Sequence, residues 1–210
     1  MGELAIGRVV QGMVETNCYF VYDKKDKKAI VFDPAKSGDD LYNKLREVGI
    51  DVAAIFLTHG HFDHIMGVNS LKAASGVKLY AYTQELPLCE DPDLNASSQI
   101  RRPTTVSPDV LLKDGEKINI EGMDVEVIAT AGHTAGSCCY YFKDAGFLIT
   151  GDTLFAGSIG RTDLPTGDDK AIIESVHKLM DRFSDDVKIY PGHGDSSTIG
   201  TERRSNPFCR

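Results

Sequence analysis

The chain has 210 residues and a mass of 22.9 kDa, enough for one well-buried core, and we expect a single domain over residues 1–210. Hydrophobic residues make up 41% and charged residues 26%, as in ordinary water-soluble proteins, and no apolar run is long enough to cross a bilayer. A net charge of -8 and a pI near 5.2 disfavour nucleic acid as a partner.

The N-terminal stretch MGELAIGRVVQG has the features of neither a secretory signal nor a transit segment, so we expect a cytoplasmic protein without a membrane anchor. The five cysteines are odd in number and show no CxxC spacing, which disfavours both a disulfide framework and a thiolate zinc site. Cys138 and Cys139 lie close to His133 in sequence, but we interpret them as buried core thiols.

In chain order, three strand-like runs at 5–10, 18–22 and 29–33 predict an antiparallel meander, and residues 38–50 predict a helix that stops at Gly49. A strand at 52–58 is followed by a predicted helix over 65–76, whose N-terminus would face the end of that strand. Another strand follows at 77–82. Residues 83–109, which contain four prolines, predict a short helix and then an irregular loop.

The second half repeats this order, with strands at 117–120, 123–130, 137–142 and 147–150 before a helix over 168–183. That helix carries one apolar stripe, and His177 falls outside it, so we expect a surface histidine there. A last strand is predicted at 187–190. Two β-rich halves with helices outside predict an α/β fold in which two sheets pack face to face.

Five of the six histidines fall into three short clusters, and each cluster follows a strand-like run. The densest is THGHFDH at 58–64, and the others lie in AGHTAGS at 131–137 and PGHGD at 191–195, with GDT at 151–153 after a fourth run. Strands that end at one edge of a sheet bring distant residues together there. The pattern predicts that seven nitrogen and oxygen donors converge: His59, His61, Asp63, His64, His133, Asp152 and His193.

These donors outnumber the needs of one metal ion. A zinc-like ion takes four ligands, often three from the protein and one water, so seven donors indicate two metals. A single histidine after a strand is usually a core or turn residue, but coincidence does not explain four matching strand ends. Nitrogen and oxygen donors suit divalent ions generally, and we expect zinc first, with iron or manganese as alternatives.

In motif order and spacing, THGHFDH, AGHTAGS, TGDTLF and YPGHG resemble the metallo-beta-lactamase superfamily over nearly the whole chain. The resemblance implies a four-layer αββα sandwich. It also implies one metal on His59, His61 and His133, a second on Asp63, His64 and His193, and Asp152 as the bridge between them. Asp63 and Asp152 are the implied catalytic residues. An Asp rather than a Cys at 152 departs from the familiar zinc beta-lactamases and disfavours antibiotic hydrolysis.

Within that superfamily, GDTLFAGSIGRTDLPTGD and GTERRSNPF resemble the glyoxalase II-like hydrolases. This implies hydrolysis of a small-molecule thioester such as a hydroxyacylglutathione by a hydroxide held between the metals, with no obligate protein partner. The chain ends at Arg210 without the C-terminal helical region that grips glutathione in full-length members, so this is a short form. Arg161 is the candidate substrate-binding residue, for a substrate carboxylate.

A sulfur (persulfide) dioxygenase of the same superfamily is the alternative, because that branch also shows a GRTD sequence like that at 160–163. A single iron would there use His59, His133 and Asp152 and leave positions open for oxygen. The LPTGD continuation favours the hydrolase.

Overall fold

The computed structural model describes residues 3–210; Met1 and Gly2, the first two residues of the predicted domain, lie outside them. A first six-stranded sheet runs in the order β1-β2-β3-β4-β5-β6. Its first three strands pair antiparallel, which confirms the predicted meander, and the rest pair parallel. The strands are β1 (Leu4–Gln11), β2 (Thr16–Asp23), β3 (Lys28–Phe32), β4 (Asp51–Phe56), β5 (Leu79–Tyr82) and β6 (Val110–Leu112).

A second six-stranded sheet has the order β14-β13-β10-β9-β8-β7 and pairs antiparallel except between β10 and β13, which run parallel. A small separate hairpin, β11-β12, follows the end of β10. These strands are β7 (Lys117–Ile120), β8 (Met123–Ala129), β9 (Cys138–Phe142), β10 (Phe147–Gly151), β11 (Leu154–Phe155), β12 (Ser158–Ile159), β13 (Lys188–Pro191) and β14 (Ser197–Thr198).

Five helices lie between these strands in the chain, and a sixth follows the last strand: α1 (Gly38–Glu47), α2 (Phe62–Ile65), α3 (Val68–Ser75), α4 (Leu86–Glu90), α5 (Asp169–Arg182) and α6 (Ile199–Ser205). Short 3-10 turns occupy Thr83–Glu85, Lys143–Ala145 and Pro207–Cys209. None of the helices within residues 3–210 combines the length and the apolar character needed to cross a membrane.

Side-chain alternation along the strands produces four layers. In β3, Ile30 and Phe32 pack between the sheets, while Ala29 and Val31 pack against the helices α1 and α3. In the second sheet, Leu148 of β10 packs on the opposite, outer face, against the apolar stripe of α5. The middle of the sandwich is aromatic: the ring centroid of Phe32 lies 5.3 to 5.9 Å from those of Phe56, Tyr140 and Phe142. The predicted αββα sandwich is therefore confirmed.

The helix predicted over 65–76 is confirmed as α3, but its predicted start is wrong: α3 begins at Val68, after a break at Gly67 that separates it from α2. In a continuous helix the N–H of Gly67 would bond to Asp63, but it donates instead to the carbonyl of Pro34 at 2.7 Å. A Cβ on residue 67 would lie 2.6 Å from that same oxygen. The close contact with the loop after β3 thus ends the first helix and leaves α2 as a separate turn that carries Asp63 and His64.

Candidate metal centre

The ends of four strands meet at one edge of the sandwich and carry the seven predicted donors. The segment after β4 carries His59, His61 and α2, the loop after β8 carries His133, and Asp152 and His193 follow β10 and β13 directly. Four of the five histidines are at most 3% exposed, and only His193 is partly open to solvent. The structure therefore brings together every side chain that the motifs singled out.

His59, His61 and His133 form one group of donors. His133 Nε2 lies 2.9 Å from His61 Nδ1 and 3.2 Å from His59 Nε2. The outer nitrogen of His133 contacts the carbonyl oxygen of Arg161 at 2.7 Å, so that nitrogen carries the proton and Nε2 keeps a lone pair. In His59, Nδ1 faces Thr58 Oγ1, whose proton goes to Asp33, so Nε2 is again the unprotonated atom.

Asp63, His64 and His193 form a second group. Asp63 Oδ2 lies 3.4 Å from His64 Nε2 and 3.2 Å from His193 Nε2. His193 Nδ1 contacts the carbonyl oxygen of Val14 at 3.1 Å, and His64 Nδ1 lies 3.0 Å from a carboxylate oxygen of Asp33. The contact with Val14 places the ring proton of His193 on Nδ1, so its Nε2 faces Asp63 with a lone pair. His64 lies between two carboxylates, Asp33 on its Nδ1 side and Asp63 on its Nε2 side.

Asp152 lies between the two groups. Its Oδ1 is 3.5 Å from His64 Nε2, and its Oδ2 is 3.6 Å from His133 Nε2 and 3.5 Å from His193 Nε2. The first glycine of PGHGD makes room for this carboxylate, since a Cβ on Gly192 would come 2.1 Å from Asp152 Oδ1. One carboxylate thus touches both sets of donors, which is the arrangement expected of a bridging ligand.

The donor atoms face one another across a space that suits a cation. His59 Nε2 lies 3.2 Å from His133 Nε2, and four further polar atoms are buried with no hydrogen-bond partner: His61 Nε2, His64 Nδ1, His64 Nε2 and Asp152 Oδ1. Each group places its three donor atoms within 4.8 Å of one another. Imidazole nitrogens and carboxylate oxygens are ligands for zinc, iron and manganese alike, so the residues fit a pair of divalent metal ions.

The histidines of the two groups differ in pKa because their surroundings differ. Burial, reinforced by the other histidines, lowers the pKa of His59 well below its usual range and that of His61 to about 3. Burial also opposes a charge on His64, but the surrounding carboxylates, Asp63 foremost, raise its pKa to about 10. His59 and His61 therefore stay neutral and ready to bind a metal, whereas a metal must displace a proton from His64.

Two buried carboxylates behind the donors did not emerge from the sequence analysis. Asp33, directly after β3, accepts hydrogen bonds from Thr58 N at 2.8 Å and Thr58 Oγ1 at 2.7 Å and also contacts His64. Glu85 accepts from Gly60 N at 2.7 Å and Thr134 Oγ1 at 2.8 Å. Asp33 follows a strand as the donors do, so that signal was present in the sequence; Glu85 has no such signal.

An open cleft of about 470 Å³ leads to the donors. Its walls are mainly apolar, and the hairpin β11-β12 forms one side. The lining residues besides the donors are Val14, Phe62, Phe155, Ser158, Ile159, Arg161 and Leu164. A small, largely apolar substrate could reach the metal centre from this side.

Arg161, the predicted substrate contact, lies at the cleft, but its guanidinium is paired. Its Nε and Nη2 atoms donate to the two carboxylate oxygens of Asp163 at 2.6 and 2.7 Å, and the side chain is 61% exposed. Solvent screens such an exposed ion pair strongly, so a substrate carboxylate could compete for the guanidinium. Its backbone oxygen has a separate role, because it accepts the hydrogen bond from His133.

The residues that the sequence analysis set aside also lie away from the centre. Cys138 and Cys139 are at most 1% exposed, and their sulfur atoms contact backbone oxygens of Leu57 and Thr150 rather than the donor groups. His177 is exposed on α5. The predictions of core thiols and of a surface histidine are confirmed.

The structure is an αββα sandwich in which histidine and aspartate side chains form two candidate metal-binding groups at one edge. This combination is typical of enzymes that bind divalent metal ions. The model of the metallo-beta-lactamase superfamily matches residues 12–193, and the chain belongs to that superfamily. It is similar to the probable metallo-hydrolase YqgX of Bacillus subtilis (34% identity; 96% of this chain, 95% of that protein). It is also similar to the hydroxyacylglutathione hydrolase GloC of Haemophilus influenzae (32% identity; 92% of each). The family and these names indicate a metallo-hydrolase.

The chain is also similar to solved structures with the same fold. BLEG-1, titled a B3 metallo-beta-lactamase, is 37% identical with a TM-score of 0.92 and covers 98% of this chain and 99% of its own. TTHA1623, solved in a di-iron-bound form, is 32% identical with a TM-score of 0.86 over 96% and 99% of the two chains. ETHE1 from Myxococcus xanthus, at 22% identity and a TM-score of 0.80 over 97% and 83%, shares the fold.

Proposed function

We propose that this protein hydrolyses small-molecule thioesters at a pair of divalent metal ions. The main support is that the nitrogen and oxygen donor atoms converge in two groups, both in contact with Asp152, at the floor of an open cleft. The resemblance of GDTLFAGSIGRTDLPTGD to glyoxalase II-like hydrolases and the similarity to GloC support a thioester as the substrate.

Each donor group has a distinct task. His59, His61 and His133 would hold one ion, Asp63, His64 and His193 the other, and Asp152 both. When bound, the ions supply Lewis acidity for the carbonyl oxygen and an activated water nucleophile. The outer nitrogens of four histidines contact other residues: His59 contacts Thr58, His133 contacts Arg161, His64 contacts Asp33 and His193 contacts Val14. Contacts of this kind generally orient metal-binding histidines, so the inner nitrogens face the proposed metal ions.

The cleft also supports the substrate class. Its walls can cover an apolar acyl group, and Arg161 is the one Lys or Arg side chain among its lining residues within 3–210. A thiolate is a good leaving group and departs without a strong general acid. We propose that Arg161 binds a carboxylate of the thiol half of the substrate, in competition with Asp163.

Zinc is the metal that we propose first, and iron is the principal alternative. The donor set accommodates both ions. The di-iron form of TTHA1623, which is 32% identical to this chain, supports including iron in every reconstitution.

Persulfide dioxygenation at a single iron is the second candidate. His133 lies 3.2 Å from His59 and 3.6 Å from Asp152, so the two-histidine, one-carboxylate set that such an iron needs is in contact. The complete second group does not separate the two candidates, because its motifs are shared within the superfamily, and the LPTGD continuation at 164–168 is what favours the hydrolase.

The deciding experiment compares three substrates on protein reconstituted with zinc or with iron. We expect hydrolysis of a hydroxyacyl thioester, followed as thiol release, to proceed equally with and without oxygen. Oxygen uptake with a persulfide and no thiol release would favour the dioxygenase. The third substrate is a beta-lactam, because the chain is similar to BLEG-1. Hydrolysis of the beta-lactam without hydrolysis of the thioester would refute the proposal.

A further inference from the structure

Glu85 is a buried carboxylate that the hydrolysis itself does not use. It ends the 3-10 turn Thr83–Glu85 immediately before α4 and is 2% exposed. Burying a carboxylate costs free energy unless hydrogen bonds satisfy its oxygens, so its partners indicate what it is for. Those partners lie 25 and 49 residues away in the chain, in two of the loops that carry metal donors.

Glu85 Oε1 accepts the N–H of Gly60 at 2.7 Å. Gly60 is the residue between His59 and His61, so this bond fixes the backbone that sets the separation of two donors. The carboxylate thereby acts on both histidines at once without touching either ring.

Glu85 Oε2 accepts the hydroxyl of Thr134 at 2.8 Å, next to His133, and Gly136 of the same loop packs against Glu85. Gly136 has to be glycine for this contact, since a Cβ there would lie 2.5 Å from Oε2 and 2.3 Å from the backbone nitrogen of Glu85. One carboxylate therefore joins the loop of His59 and His61 to the loop of His133.

The second donor group is held by other residues. Val14 bonds to His193, Thr16 Oγ1 donates to Asp63 at 3.0 Å, and Asp33 contacts His64. The hydrogen bonds that Glu85 accepts from Gly60 and Thr134 go to the loops of the first group, and with His64 of the second group Glu85 has only an electrostatic interaction through space.

We propose that Glu85 is a positioning residue that sets the metal affinity of the His59, His61 and His133 group and leaves that of the second group unchanged. This inference rests on the proposed two-metal function. Loss of a residue that supports metal ligands from outside typically weakens metal binding about 10- to 100-fold.

The test is a metal titration of the metal-free protein with Co(II), followed by its visible absorption, and with Zn(II) against a competing chelator. The wild type should bind two ions. Glu85→Gln keeps the side-chain volume but replaces one carboxylate oxygen with an NH₂ group, which would face the N–H of Gly60 or the hydroxyl of Thr134 without an acceptor. The affinity for one of the two metal ions should therefore fall about 10- to 100-fold. The other step should keep its wild-type affinity.

Glu202→Gln is the matched control for neutralising a buried glutamate. Glu202 is 1% exposed and accepts Gly157 N at 2.7 Å, Asn206 Nδ2 at 3.0 Å and the hydroxyl of Ser197, and none of these partners lies in the loops of His59, His61 and His133. We expect both metal affinities of this variant to match the wild type.

Thr134→Val and Thr134→Ser form a second pair in case Glu85→Gln does not fold, which circular dichroism of the metal-free protein would show. Valine removes the hydroxyl that donates to Glu85 and should weaken the same step, whereas serine should restore it. Equal weakening of both steps, or none, would overturn the role of Glu85. A wild-type protein that binds no metal would instead overturn the proposed function.

Discussion

Asp33→Asn should damage both the fold and the metal centre. Asp33 is 2% exposed; one oxygen accepts Thr58 N, and the other accepts Thr58 Oγ1 and contacts His64 Nδ1. The backbone at residue 33 has φ 51°, a left-handed conformation that Asn adopts as readily as Asp, so the substitution adds no backbone strain. The effect is therefore confined to the side-chain contacts.

Asparagine would present an amide donor where the second oxygen now faces two donors. The hydrogen bond from Thr58 Oγ1 to this charged oxygen is worth roughly 1.5–3 kcal/mol, and loss of the buried ionic contact with His64 adds to that cost. Rotation of the Thr58 hydroxyl recovers part of this, and we expect a loss of about 3 kcal/mol in the free energy of unfolding. Because Asp33 supports His59 through Thr58 and His64 directly, both metal affinities should fall about 10- to 100-fold.

Chemical denaturation of the metal-free protein measures the first effect, and metal competition measures the second. Asp181→Asn, on the exposed face of α5, controls for the change of net charge and should leave both unchanged. A loss of stability below about 1 kcal/mol with wild-type metal affinity would refute this account of Asp33.

Three further predictions concern single groups. Tyr140→Phe removes the hydroxyl that donates to Leu57 O at 2.7 Å and should lower the free energy of unfolding by about 1–3 kcal/mol in chemical denaturation, whereas an unchanged value would contradict the bond. His193→Ala should weaken the binding of one metal ion in a chelator competition, and His177→Ala, on the surface, should not; the reverse result would remove His193 from the site. Burial raises the pKa of all five thiols, so the folded protein should resist a thiol reagent that labels the unfolded chain fully, and rapid labelling of the native protein would show that the thiols are accessible.

The sheets and the donor set could be predicted because their signals are local. Each donor follows an apolar run, and the strand ends converge whatever the details of the loops. The stripe of α5 likewise follows from helical periodicity, and His177 falls outside it. Short-range patterns of this kind need no knowledge of distant partners.

The features that the sequence did not reveal depend on partners far along the chain. The break between α2 and α3 is caused by Pro34, whose carbonyl takes the N–H of Gly67 out of the helix. Glu85 is a lone acidic residue before a short helix, and its partners become visible only when the loops are placed. The bidentate pairing of Arg161 with Asp163 is local, but side-chain geometry decides it.

The metal content of the purified protein, measured by elemental analysis together with turnover of a thioester, tests the central claim most directly. We predict about two divalent ions per chain, from the two donor groups around Asp152, with activity lost on chelation and in Asp152→Ala. A protein free of metal that retains full turnover would contradict the account.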